Sequence, residues 1–159
     1  MTNNPYGRNE SNSSGTWLII LLALLIGLFV IGKRFAWCEE VNLDIIAQIE
    51  SNNNPLAYNR NSGAVGLCQI TSVCLSDYNL CNKTCYEITD LLSPKFNLFI
   101  AYWYLNKRIP QMLRAKNKPI TLDNILWAYN AGIGKVVKGI CPKETRNYIK
   151  KYQRLARAK

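Results

Sequence analysis

Leu43-Asp44-Ile45-Ile46-Ala47-Gln48-Ile49-Glu50, followed at once by Ser51-Asn52-Asn53-Asn54-Pro55, is the stretch from which the rest of the chain can be read. Leu43, Ile46, Ala47 and Glu50 fall at i, i+3, i+4 and i+7, so on a helix the carboxylate joins the inward-facing apolar stripe. Burial disfavours its ionised form, and a helix C-terminus presents it with the negative end of the macrodipole. Both effects push its pKa upward. A carboxyl held protonated near neutral pH is what a general acid needs. Taken alone, Glu50 also fits the plainer role of a charge that caps a helix end; the downstream sequence decides against that role.

Ser62-Gly63-Ala64-Val65-Gly66-Leu67-Cys68-Gln69-Ile70 carries two glycines that suit a tight turn or narrow hairpin. Ser93-Pro94 reads as N-cap and first helical residue of the apolar run Phe96-Asn97-Leu98-Phe99-Ile100-Ala101-Tyr102-Trp103-Tyr104-Leu105. This is the expected central core helix, ending or kinking near Pro110. Its aromatics, at helical spacing, read as core, with Tyr102 or Trp103 at the edge next to a cleft. Thr121 caps a further helix through Ile125, Leu126 and Trp127 into Ala128-Tyr129-Asn130, after which Ala131-Gly132-Ile133-Gly134 turns the chain. A last helix from about Lys143 to Arg157 has an apolar stripe at Tyr148, Tyr152 and Leu155. With no internal repeat, heptad or long linker, the expected fold is a mostly helical bundle around a central helix with one small β-hairpin.

Glu50-Ser51, Asn54-Pro55, the Ser62–Gln69 segment, Ala128-Tyr129-Asn130-Ala131-Gly132 and Glu144-Thr145-Arg146-Asn147-Tyr148 follow one another in an order and spacing that resemble the soluble lytic transglycosylase family, relatives of goose-type lysozyme. The resemblance covers roughly residues 42–153. It implies a mostly α, α+β lysozyme-like fold acting on peptidoglycan glycan strands, with no cofactor and no metal. It also implies the site. Glu50 protonates the oxygen between N-acetylmuramic acid and N-acetylglucosamine and later deprotonates the C6 hydroxyl that closes a 1,6-anhydro ring. Ser51 polarises the acetyl region, Gln69, Tyr129 and Asn130 contact the sugar, Gly66 and Leu67 line the groove with backbone, and Tyr148 positions Glu50. Core packing is an equally good reading of Tyr148. The chain departs from the family pattern at Cys68, where Met or an aromatic is usual, at Ala101, where Gly is frequent, and at Cys74, Cys81 and Cys85, in a loop usually free of cysteine.

Glycoside cleavage normally uses two carboxylates. Only Glu50 sits in a motif suited to catalysis; Asp44, Asp77, Glu87, Asp90, Asp123 and Glu144 are scattered. One acid suffices where the substrate supplies the nucleophile, which favours a lytic transglycosylase. A hydrolytic muramidase of the same fold requires a second carboxylate across the cleft. A non-catalytic wall-binding or virion protein is the third alternative, and for it the loss of Glu50 or Gln69 is expected, whereas both are present.

The 159 residues allow one domain with a real core plus an anchor. Residues 1–16, rich in Asn, Ser and Gly, read as a disordered polar tail. Residues 17–37 read as a transmembrane anchor: the uncharged run Trp17–Gly32 spans only about 24 Å, but with Lys33 and Arg34 snorkelling the segment reaches about 31 Å and places a Trp at each end. A cleaved signal peptide and a lipoprotein signal at Cys38 fit the flanks less well. Residues 38–159 are then the catalytic domain.

These assignments lead to the expectation of a single-pass membrane protein whose catalytic domain faces the periplasm or wall. Its partners are peptidoglycan, membrane lipid through residues 17–37, and virion or secretion-complex proteins. Lys33 and Arg34 on the C-terminal flank oppose that orientation. The six cysteines favour an oxidising compartment and outweigh the flank, and the internal membrane of a bacteriophage virion removes the conflict. Bridges among Cys74, Cys81, Cys85 and Cys141 are preferred to a zinc site, since the chain has no His. The net charge of +10 attracts polyanions. Without a nucleic-acid-binding motif, however, the basic face Arg146, Lys150, Arg154 and Arg157 reads as solvated helix surface, not as a nucleic-acid site.

Overall fold

A computed structural model of the chain describes residues 40–158. Asn42 opens the first helix, α1 (Leu43–Ser51), by accepting on its side chain from the Asp44 and Ile45 amides, as an N-cap should. Ile45, Ile46 and Ala47 are buried. The chain then forms a two-residue antiparallel hairpin, β1 (Tyr58–Asn59) with β2 (Ala64–Val65), pairing Tyr58 with Val65 and Asn59 with Ala64. Val65 also bridges to Ile70, which folds the intervening loop back on the hairpin.

The segment after Gln69 is a helix, α2 (Ser72–Asn82), capped by the Thr71 hydroxyl and terminated by Lys83 in the left-handed conformation. A 3-10 turn (Ile88–Leu92) leads into α3 (Pro94–Trp103), with Ser93 and Pro94 in the expected N-cap and first positions. The anticipated disturbance at Pro110 takes a particular form. Tyr104–Arg108 is a π turn in which the Ile109 amide donates to the Tyr104 carbonyl, before α4 (Ile109–Ala115) continues. Pro110 has no N–H for the Asn106 carbonyl, and the wider turn accommodates that loss without ending the helix. Along this rod Ala101, Leu105, Ile109 and Leu113 are fully buried, making it the centre of the core. Its aromatics divide: Tyr102 and Phe99 are exposed, while Trp103 packs edge-on against Tyr78 of α2 at 5.0 Å between centroids.

Thr121 caps α5 (Leu122–Ala131), and Gly132 (φ 85°) turns the chain into the short α6 (Ile133–Lys138) where a plain turn was expected. Helix α7 (Lys143–Arg157) ends the described chain and buries Thr145, Tyr148 and Tyr152 against α1 and α5. The fold is mostly helical with one small hairpin, as the sequence leads one to expect.

Two expectations are corrected. Cys68, Cys74, Cys81, Cys85 and Cys141 are all free thiols, so the proposed bridges are absent. Cys74 and Cys81 lie seven residues apart on α2, a rise of about 10 Å that no disulfide spans. The single-pass membrane placement is likewise overturned: among the described residues no helix is long and apolar enough to cross a membrane. The longest, α7, has 15 residues and carries seven charges. The expected tail (1–16) and anchor (17–37) lie outside the described residues.

Candidate active site

Helix α1 stops directly after Glu50 and Ser51 because Asn52 and Asn53 adopt left-handed backbone (φ 53° and 61°), which Asn tolerates better than most residues. Glu50 is thereby left in the last turn, at the mouth of a cavity. Its Oε1 accepts a 2.8 Å hydrogen bond from the Tyr148 hydroxyl, delivered from α7 across 98 residues of sequence. Burial pushes the Glu50 pKa up to about 7. The Tyr148 bond and the charge of Lys151 oppose that shift, and the charge of Glu144 adds to it. Burial and the neighbouring carboxylate raise the Tyr148 hydroxyl in turn, so it stays protonated and a donor.

The cavity is a cleft of about 460 Å³, lined by Glu50, Gln69, Tyr129, Asn130 and Glu144 among others. Gln69 holds a left-handed backbone (φ 50°), and its Nε2 donates to the Ala57 and Gly66 carbonyls, fixing the amide against the hairpin. The Tyr129 hydroxyl donates to the Cys68 carbonyl at 2.6 Å, tying α5 to the same loop. Beneath the loop sits Asn97, fully buried on α3. Its Nδ2 donates to the Val65 and Leu91 carbonyls and its Oδ1 accepts from the Cys68 amide. Gly66 lies over this side chain at φ 79°, and a Cβ there would stand 2.3 Å from Asn97 Nδ2. Both the turn and the close approach require glycine.

Of the residues singled out from sequence, the fold brings Glu50, Gln69, Tyr129 and Asn130 to one cleft and places Tyr148 against the Glu50 carboxyl. Ser51, Gly66 and Leu67 are not among the lining residues. The Ser51 hydroxyl donates to the Ala47 carbonyl, Gly66 is buried over Asn97, and Leu67 packs against the core. Three further residues belong to the site or its support: Glu144 on the cleft wall, Thr145 behind Asn130, and Asn97 under the loop. Glu144 and Thr145 stand in the same short motif as Tyr148, Glu144-Thr145-Arg146-Asn147-Tyr148. The signal for Asn97 is that it is the lone amide in the apolar run Phe96–Leu105. Among the described residues no three His, Cys, Asp or Glu side chains gather as a metal site would require.

The sequence profile of the transglycosylase SLT domain matches residues 36–152. The chain belongs to the SLT transglycosylase family. The activity that membership carries is that of a peptidoglycan-acting enzyme, lytic transglycosylase or lysozyme-like. No curated protein matches the chain significantly. In this SLT domain the matched region takes in α1 with Glu50, the hairpin, the central rod and α7 through Tyr152, so every residue lining the cleft falls inside it.

Proposed function

We propose that this SLT domain, residues 38–159, has a lysozyme-like fold and is a lytic transglycosylase that cleaves the β-1,4 bond between N-acetylmuramic acid and N-acetylglucosamine and leaves a 1,6-anhydro end. The observation that carries the proposal is Glu50, a carboxyl in a glycan-sized cleft whose pKa of about 7 leaves a large share protonated at neutral pH. Such a group gives its proton to the departing glycosidic oxygen as the C1–O bond breaks. The carboxylate so formed, held by the Tyr148 hydroxyl, then takes the proton of the C6 hydroxyl as that oxygen bonds to C1. Atoms balance without water, and the acid is regenerated. The substrate's N-acetyl group steadies the positive charge at C1 between the two steps. Gln69, Tyr129 and Asn130 hold the sugar from the cleft wall, with Gly66 letting the loop that carries Gln69 sit down on Asn97. The biological use is local opening of the wall, as phage entry or a secretion machine requires.

One observation favours hydrolysis as the second reading: Glu144 lines the same cleft as Glu50 and acts on it electrostatically. A carboxylate so placed serves to activate water. Mass spectrometry of muropeptides released from purified peptidoglycan in heavy-oxygen water separates the two. Anhydro ends without label are expected. Reducing ends that carry the label would replace the proposal by a lysozyme with Glu144 as base. Glu50→Gln should lower the rate by about 10²–10⁴-fold, the usual worth of general acid–base catalysis.

A further inference from the structure

Thr145 has no part in the chemistry above, yet it is 1 % exposed and among the most buried polar side chains of the described chain. It occupies the first turn of α7, one turn before Tyr148, on the stripe that faces α5. Its hydroxyl donates a 2.7 Å hydrogen bond to Oδ1 of Asn130, the last residue but one of α5. A buried hydroxyl needs such a partner, and here the partner is a cleft-lining amide.

A side-chain amide has two unlike ends, an acceptor oxygen and a donor NH2, and it can rotate to exchange them. With Oδ1 engaged from behind by Thr145, the end left for the cleft is Nδ2, which makes no hydrogen bond within the described protein. A rotated amide would set Nδ2 against the Thr145 hydroxyl and turn an acceptor toward the substrate. We infer that Thr145 is a positioning residue: its buried hydroxyl holds the Asn130 amide from behind, in the orientation that leaves Nδ2 to donate to a carbonyl or hydroxyl oxygen on the bound sugar. The acetamido carbonyl of an N-acetylated sugar is the ligand group that fits. This inference rests on the reading of the cleft as the glycan groove.

The consequence is a division of labour along one helix. Tyr148 acts on the proton of Glu50, whereas Thr145 acts on substrate binding through Asn130, so disturbing Thr145 should move KM and leave the protonation of Glu50 alone. Thr145→Val keeps the shape and removes the hydroxyl; Thr145→Ala removes it without a branched side chain in the helix; Thr145→Ser keeps it. The assay is steady-state cleavage of soluble glycan strands by the full chain, with pH–rate profiles and the same substitutions in an Asn130→Ala background.

Thr145→Val and Thr145→Ala are expected to raise KM about 3- to 10-fold, the worth of one neutral hydrogen bond, with kcat and the alkaline limb of the profile unmoved. Thr145→Ser should restore KM, and in Asn130→Ala neither hydroxyl-free change should add a further effect. Inactive wild type would sink the glycan reading itself. Active wild type with an unchanged KM in Thr145→Val would overturn the Thr145 inference alone. So would an equal loss in Thr145→Ser, an additive loss in Asn130→Ala, or a shifted alkaline limb, each of which marks a packing role or an action through Glu50.

Discussion

Replacing Glu50 by Gln should stabilise the fold at alkaline pH while it removes activity. The Glu50 pKa rises from 4.5 in the unfolded chain to about 7 in the fold, chiefly because burial penalises the charged form. Between those two values the folded state holds more protons than the unfolded state, so stability falls as pH rises through that window. That rise is worth about 3 kcal/mol, fully felt above pH 8 and absent below pH 4. Gln keeps the shape and can still accept from Tyr148, but it never ionises. The two proteins should therefore melt alike near pH 4. At pH 8.5 the variant should be about 3 kcal/mol more stable, a difference in Tm on the order of 10 °C for a domain of this size. Thermal or urea unfolding of both proteins across pH 4–9 gives the comparison, and subtracting the curves cancels every other titrating group. Curves that stay parallel would refute the reasoning, since they would mean that Glu50 titrates in the fold as it does in water.

Two further outcomes follow from the same geometry. Tyr148→Phe removes the hydrogen bond that holds the Glu50 pKa down, so the alkaline limb of the kcat profile should move up by about one unit, and a limb that stays or moves down would count against the bond. Gly63→Ala, in open space at φ 67°, should cost about 1–2 kcal/mol in urea unfolding, whereas Gly66→Ala, which also drives a Cβ into Asn97, should cost about 3–5 kcal/mol.

Where a local rule was enough, the sequence was legible. The Thr121 cap, the Ser93-Pro94 start, the hairpin glycines and the α7 boundaries all rest on the preferences of one or two residues, and each is found in place. Helix α2 was not seen because its buried residues, Cys74, Leu75 and Tyr78, form too short a stripe among Ser, Asp and Asn to stand out. The π turn was foreseen only as a fault at Pro110, since its form depends on a rod that stays continuous because both flanks are buried. At the site, Glu50, Gln69, Tyr129 and Asn130 were readable from motifs, and the fold gathers them at one cleft. The supports Thr145 and Asn97 were not, because their importance lies in what they touch across the fold. The bridges failed for a related reason: counting cysteines says nothing of how α2 spaces them.

The first and last described helices are stapled together twice, by Tyr148 on Glu50 and by the Tyr152 hydroxyl accepting from the Asn42 amide 110 residues earlier. On the ribosome, the 98 residues that separate Glu50 from Tyr148 take about 5–20 s to add. Throughout that interval Glu50 lacks the hydroxyl that holds it, together with Lys151 and Glu144, the two α7 charges that act on it. Docking of α7 thus completes the surroundings of the acid: a chain that stops short of Tyr148 carries Glu50 without the group that holds it in place.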